Sequence, residues 1–218
     1  RYIPDTNWHL VSAPVTTQSI PDFVGDSGNS VTTNGSNGNF AVSYYKNTND
    51  SGFKWTYHNT SPTGQNQETL TNFVNGLGYS TNRTAIGDFA FTGGMATSDV
   101  DITLQTSSGT HFWHCVGNPY PSYIRVSELL AATNGGGTNA DNITTANQTV
   151  YVWNGTTYAG LATTDYIQPG QGFFVSANNS TASNFSIPNS LQSHQTGVTF
   201  YKNANTKITL KQEQELLL

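Results

Sequence analysis

Charge is scarce in this chain. Asp, Glu, Lys and Arg make up 10% of its 218 residues, where about a quarter is usual for a globular protein. Eight lysines and arginines against thirteen acids leave a net charge of -5, which provides no basic stripe for nucleic acid or an anionic membrane surface. The lone Cys115 excludes an internal disulfide, so the core alone must hold the fold. The sequence has no signal peptide and no apolar run of bilayer-spanning length, so the expectation is a mature or excised piece with no membrane insertion. It also lacks a G-x-S-x-G nucleophile element and a D-x-D-x-D-G calcium loop.

In place of charge the chain carries Thr, Asn, Ser and 21 glycines, with 12% aromatics spread throughout. Ser, Thr and Asn compete for backbone hydrogen bonds and Gly loses the most entropy on ordering, so long helices are disfavoured. The aromatics argue against disorder. Many short strands joined by Gly- and Asn-rich turns fit this composition. Asn154-Gly155 between two aromatic runs signals a hairpin. Val100–Leu104 alternates apolar and polar, the pattern of a strand with one face buried. Ser127–Thr133 is the one segment that reads as a helix, with Ser127 as its cap and the glycines at 135–137 as its stop.

One sentence is written twice. Trp8-His-Leu-Val-Ser-Ala-Pro14 and Trp113-His-Cys-Val-Gly-Asn-Pro119 share the frame W-H-x-V-x-x-P. Each is followed by a Tyr/Trp segment, Tyr44 to Tyr57 and Val150 to Tyr158. A Gly-x-Gly-aromatic element comes next, at Gly76–Tyr79 and Gly170–Phe173. Each copy then has an apolar run and a closing strand, Val100–Leu104 and Val198–Phe200. Landmarks in the same order predict two sequence-related halves, about 1–105 and 106–210, in one domain spanning 1–210, with 211–218 as a tail or linker. The predicted fold class is all-β, an antiparallel β-sandwich or jelly roll in which one half covers the other's apolar face. On this reading Trp8 and Trp113 are core residues. The long loops 25–39 and 134–147 fall at matching points and are candidates for function.

WHLVSAP, GLGYS, FTGGMATSDV, GNPYPSYI, VYVWNGTTY, PGQGFFV and LQSHQ together resemble a module of secreted flavobacterial surface proteins. That module lies just upstream of the C-terminal sorting domain of the type IX secretion system. The resemblance spans about Trp8 to Lys202 and implies a secreted or surface-attached bacterial protein whose other domains are neighbours of this one. It supplies no activity and no catalytic residues.

Candidate chemistry is thin. His111-x-x-His114 has zinc-like spacing only on a helix; in a strand the two point to opposite faces. Asp99 and Asp101 share a strand face that a loop carbonyl could complete as a calcium site, but a solvated strand edge explains them better. Cys115 lies in an apolar run and reads as an inert buried thiol. No catalytic residue and no cofactor is therefore assigned. Sugars present apolar C–H faces ringed by hydroxyls, so a glycan site needs exposed aromatics beside amides and hydroxyls. Tyr120, Tyr123 and Tyr158 lie off the duplicated frame and are the candidate ligand-binding residues. A rigid proline-bounded turn capped by its tyrosines explains Tyr120 and Tyr123 equally well. The expected function is an extracellular, non-catalytic module that binds polysaccharide or cell-surface glycan. The alternatives are a structural spacer and a β-sandwich polysaccharide-degrading enzyme.

Overall fold

The computed structural model describes residues 1–48, 53–104, 112–133, 137–178 and 183–194. Along the chain run β1 (Tyr2–Ile3), β2 (His9–Val11), α1 (Ile20–Gly25), β3 (Val42–Tyr45), β4 (Trp55–His58), β5 (Gln67–Glu68), β6 (Tyr79–Thr81) and β7 (Gly87–Asp88). There follow β8 (Val100–Leu104), β9 (Trp113–Gly117), β10 (Ile124–Arg125), α2 (Val126–Ala131), β11 (Tyr151–Trp153), β12 (Tyr158–Gly160), β13 (Tyr166–Ile167), β14 (Gly172–Ser176) and β15 (Ser183–Ile187). The fold is all-β, a sandwich of mostly antiparallel sheets with two six-residue α-helices among the described residues.

Two sheets dominate. One has the order β2-β6-β3-β4-β5 and the other β12-β11-β14-β9. Read from the W-H-x-V strand, the first runs β2, β6, β3, β4 and the second β9, β14, β11, β12, each antiparallel to its neighbour. Each sheet rests one face on its own core. Val11, Val42 and Tyr79 pack with Phe23, Phe73 and Phe89, while Val116, Val152, Phe173 and Val175 pack with Leu129, Ile167 and Phe185. The Asn154-Gly155 hairpin forms as a four-residue loop between Trp153 and Tyr158, with Asn154 Oδ1 accepting from the N–H groups of Thr156 and Thr157.

The contacts between the two sheets are reciprocal. The Ser12 N–H donates to the Gly170 carbonyl and the Gly117 N–H to the Gly76 carbonyl, at 2.9 and 2.8 Å. Val11 bridges to Gln171, and Val116 to Leu77. Gly76 and Gly170 hold φ of 80° and 62°, a region where a Cβ is costly. Gly78 and Gly172 lie so close to the other sheet's W-H-x-V strand that a Cβ would meet backbone atoms at 2.5 and 2.9 Å. Close approach explains the Gly-x-Gly elements.

Several expectations change. Val100–Leu104 alternates as its pattern predicts, but it pairs with β15 and packs in the same core as Phe173 and Ile167. It does not close the first half, as the sequence reading had it. The helix near Ser127 begins one residue earlier, at Val126, and Arg125 occupies the cap position without a side-chain hydrogen bond. It ends before the glycines. A second helix, α1, was not expected. Its signals were present in Ser19, whose hydroxyl accepts from the Asp22 N–H, and in Pro21 in the first turn. The strand Val198–Phe200, the tail 211–218, His111 and residues 134–136 of the second long loop lie outside the described residues.

Candidate functional site

The tryptophans define the site. On each strand the residue next to a core residue points to the opposite face. Leu10, Cys115 and Phe174 are the buried residues of that second face, with Tyr45, Trp55, Trp113, Tyr151 and Trp153 packed partly buried around them. β9 shows the alternation directly: Val116 enters the core while Trp113 and Cys115 face the other way. The core assignment of Trp8 and Trp113 is therefore corrected. Trp8 is 41% exposed and edges onto Tyr57 at a centroid distance of 6.1 Å. The core positions on these strands are filled by Val11 and Val116, which leaves the tryptophans outside.

Three clefts adjoin on this face. The first, of about 410 Å³, is lined by Tyr45, Lys54, Trp55, Trp113, Tyr151, Tyr158 and Phe174. Phe174 forms its floor, and Tyr45, Trp113 and Tyr158 stand nearly perpendicular to it, with interplanar angles of 90°, 79° and 86°. The second, of about 230 Å³, shares Trp55 and Tyr158 with the first and adds Trp8, His9, Leu10, Tyr57, Ser80 and Trp153. The third, of about 440 Å³, shares Trp8 and Tyr57 with the second and is bordered by Asn34, Asn37, Asn39 and Asn66. All four tryptophans of the chain line this continuous surface. Among the described residues lining the three clefts, Lys54 is the one carrying a fixed charge; its Nζ donates to the Asn47 carbonyl at 2.9 Å.

Protein-family models, curated proteins and solved structures give no match. The site is therefore read from its own chemistry.

Of the three tyrosines singled out in the sequence, the structure brings only Tyr158 to this surface, 46% exposed and stacked obliquely on Trp153 at 5.0 Å. Tyr120 is fully buried. Its hydroxyl shares its one proton between the carbonyls of Ile187 and Ser98, at 2.7 and 3.0 Å, and its phenol is pushed up to about 12 by burial, with Asp99 and Asp101 adding to the shift. It is a core anchor, withdrawn from any ligand. Tyr123 is half-buried and bridges its backbone to Ser193. The NPYPSY segment is the rigid turn. Sequence reasoning missed that the four tryptophans share one open face, Trp8 exposed and the others half-buried, because an aromatic strand carries no label for which face is dry.

The remaining candidates are placed plainly. Cys115 is buried, and desolvation pushes its thiol far up, which suppresses the reactive thiolate. Asp99 Oδ1 accepts from the Asn189 N–H, and Asp101 is exposed on β8. Among the described residues no group of three or more His, Cys, Asp or Glu converges. His9 meets Asp5 at 2.9 Å, and His114 meets the Asn47 amide at 3.0 Å. The loop 25–39 borders the third cleft through Thr32, Asn34, Asn37 and Asn39. Asp141, Thr144, Thr145 and Gln148 line a separate polar hollow with Asn178.

Proposed function

We propose that this protein is an extracellular, non-catalytic module of a larger secreted or surface bacterial protein, and that it binds glycan along its aromatic face. The observation that carries the reading is the placement of all four tryptophans, with Tyr45, Tyr57, Tyr151 and Tyr158, along three adjoining clefts. A sugar ring offers apolar C–H faces to aromatic side chains and hydroxyls to amides, and both kinds of group line this surface. The asparagines at the Trp8 end supply donors and acceptors for those hydroxyls. Near-absence of charge on the lining suits a neutral ligand. No carboxylate is among the described lining residues, so the reading assigns no hydrolysis. The likeness of WHLVSAP, GNPYPSYI and PGQGFFV to the module beside type IX sorting domains supports the setting.

The test is a glycan array on the module with a reducing-sugar assay alongside, followed by calorimetry on variants. Tyr158→Ala should weaken binding by roughly 1–3 kcal/mol, by analogy with base–aromatic stacking, at nearly unchanged melting temperature. Tyr120→Phe should do the reverse, lowering stability and leaving affinity intact. An array with no bound glycan would leave the structural-spacer reading; release of reducing ends would replace the reading with an enzyme.

A further inference from the structure

The first two clefts are built on the same plan. Paired in the first sheet are Leu10 with Ser80 and Tyr45 with Trp55; paired in the second are Cys115 with Phe174 and Trp153 with Tyr158. Trp8 therefore stands to the first sheet as Trp113 stands to the second, Trp55 as Tyr158, and Tyr45 as Trp153. The first cleft holds Trp113, Tyr45 and Trp55 with Tyr158, and the second holds Trp8, Trp153 and Tyr158 with Trp55. Exchanging the sheets converts these four residues of one cleft into the four of the other and swaps the two shared ones, while Lys54 and Tyr151 in the first and His9, Leu10 and Tyr57 in the second have no counterpart in the other lining. The contacts that join the sheets have the same reciprocity, Ser12 to Gly170 and Gly117 to Gly76. Reciprocal contacts of this kind define a twofold relation.

Resting on the glycan reading, we propose that the two clefts are twin subsites related by a local twofold axis. They take two stretches of one linear, neutral polysaccharide, with Trp55 and Tyr158 gripping the chain between them. The twofold reverses chain direction between subsites, so the module accepts a polymer in either polarity and holds it by its interior, with no requirement for a chain end. Twinning also sets the length dependence. A short sugar fills each cleft separately and weakly. A chain that reaches both makes the second contact intramolecular and gains affinity on the order of 10²-fold. The floors differ, the Phe174 ring in the first cleft and Leu10 with Ser80 in the second, so the subsites are not equal in strength.

Calorimetry with neutral disaccharides and hexasaccharides of the β-glucan, mannan and xylan series tests this. The positive series should bind two disaccharides per chain but one hexasaccharide, more tightly. Indole N–H resonances of the intact protein, assigned by single Trp→Phe variants, should show disaccharide shifting Trp113 and Trp8 alike. Trp8→Ala, at an exposed position, should reduce hexasaccharide affinity at least 10-fold and abolish one of the two disaccharide sites. A glycan that binds once at every length, leaves the Trp8 indole unmoved and ignores Trp8→Ala would overturn twinning while leaving glycan binding standing. Failure of every series to bind would overturn both.

Discussion

Asn29 and Asn139 each clamp a helix to a distant backbone segment through the same three hydrogen bonds. The Asn29 amide donates to the carbonyls of Phe23 and Ala90, at 3.0 and 3.3 Å, and its Oδ1 accepts from the Ala90 N–H at 2.7 Å. The Asn139 amide donates to Leu129 and Ser186, at 2.8 and 2.6 Å, and accepts from the Ser186 N–H at 2.9 Å. Both side chains are buried. Each ties a carbonyl of α1 or α2 to a distant backbone segment, Ala90 just past β7 or Ser186 in β15.

Replacing either asparagine by Ala should cost about 2–4 kcal/mol, because buried backbone groups lose their partners. Asn139→Asp should be worse at neutral pH than in acid, since an ionised carboxylate cannot donate and is costly to bury. Urea unfolding of the variants at both pH values checks this. Equal midpoints for wild type and Asn139→Ala would remove the clamp's energetic role.

Glycine at the sheet junction is a steric requirement. A Cβ on Gly78 would stand 2.5 Å from both Cys115 Sγ and the Val116 carbonyl oxygen. Gly78→Ala and Gly172→Ala should each destabilise by about 1–3 kcal/mol through overpacking. Gly25→Ala, where nothing lies within 4 Å, should be neutral or stabilising by up to about 1 kcal/mol. Thermal melts of the three variants decide the matter. The same crowding predicts that a bulky thiol reagent labels Cys115 only as fast as the protein unfolds.

His58 makes stability depend on pH in one direction. It is fully buried against Phe40, and its Nδ1 accepts from the Leu70 N–H at 3.2 Å. Burial lowers its pKa below 6.5. The unfolded chain therefore takes up a proton that the fold resists, so stability falls as pH drops below about 6.5, by at most about 1.4 kcal/mol per unit. His58→Gln should flatten that slope between about pH 6.5 and 5. The neighbouring acid windows lie lower: the Asp5 carboxyl, accepting from the Asn7 N–H and meeting His9, is held below its ordinary value. Its contribution is lost only at more acid pH. Urea midpoints across the range distinguish the two.

Tyr120 and Trp8 show where the sequence stopped being informative. Both sit among strand and turn formers and both are aromatic; the sequence leaves Tyr120 open between a ligand contact and a capping turn and places Trp8 in the core. The structure selects the turn for Tyr120 and puts Trp8 on the surface. A proline-bounded turn next to β9 places Tyr120 beneath the ends of β8 and β15, where two carbonyls satisfy its hydroxyl. Trp8 is excluded because Val11, on the alternate face of the same sheet edge, already fills the core.

By itself the sequence determined the all-β class, the hairpin at Asn154-Gly155, the alternation of Val100–Leu104, the buried thiol at Cys115 and the paired landmarks W-H-x-V and Gly-x-Gly. These are local or compositional: turn chemistry, period-two patterning and the low charge act within a few residues. Only the tertiary structure decided which sheet β8 joins, that Gly78 and Gly172 meet the opposite sheet's strand, and that four tryptophans share one open face. Those facts depend on which surface of each strand a distant segment covers. Strands with large apolar side chains on both faces leave that choice to packing.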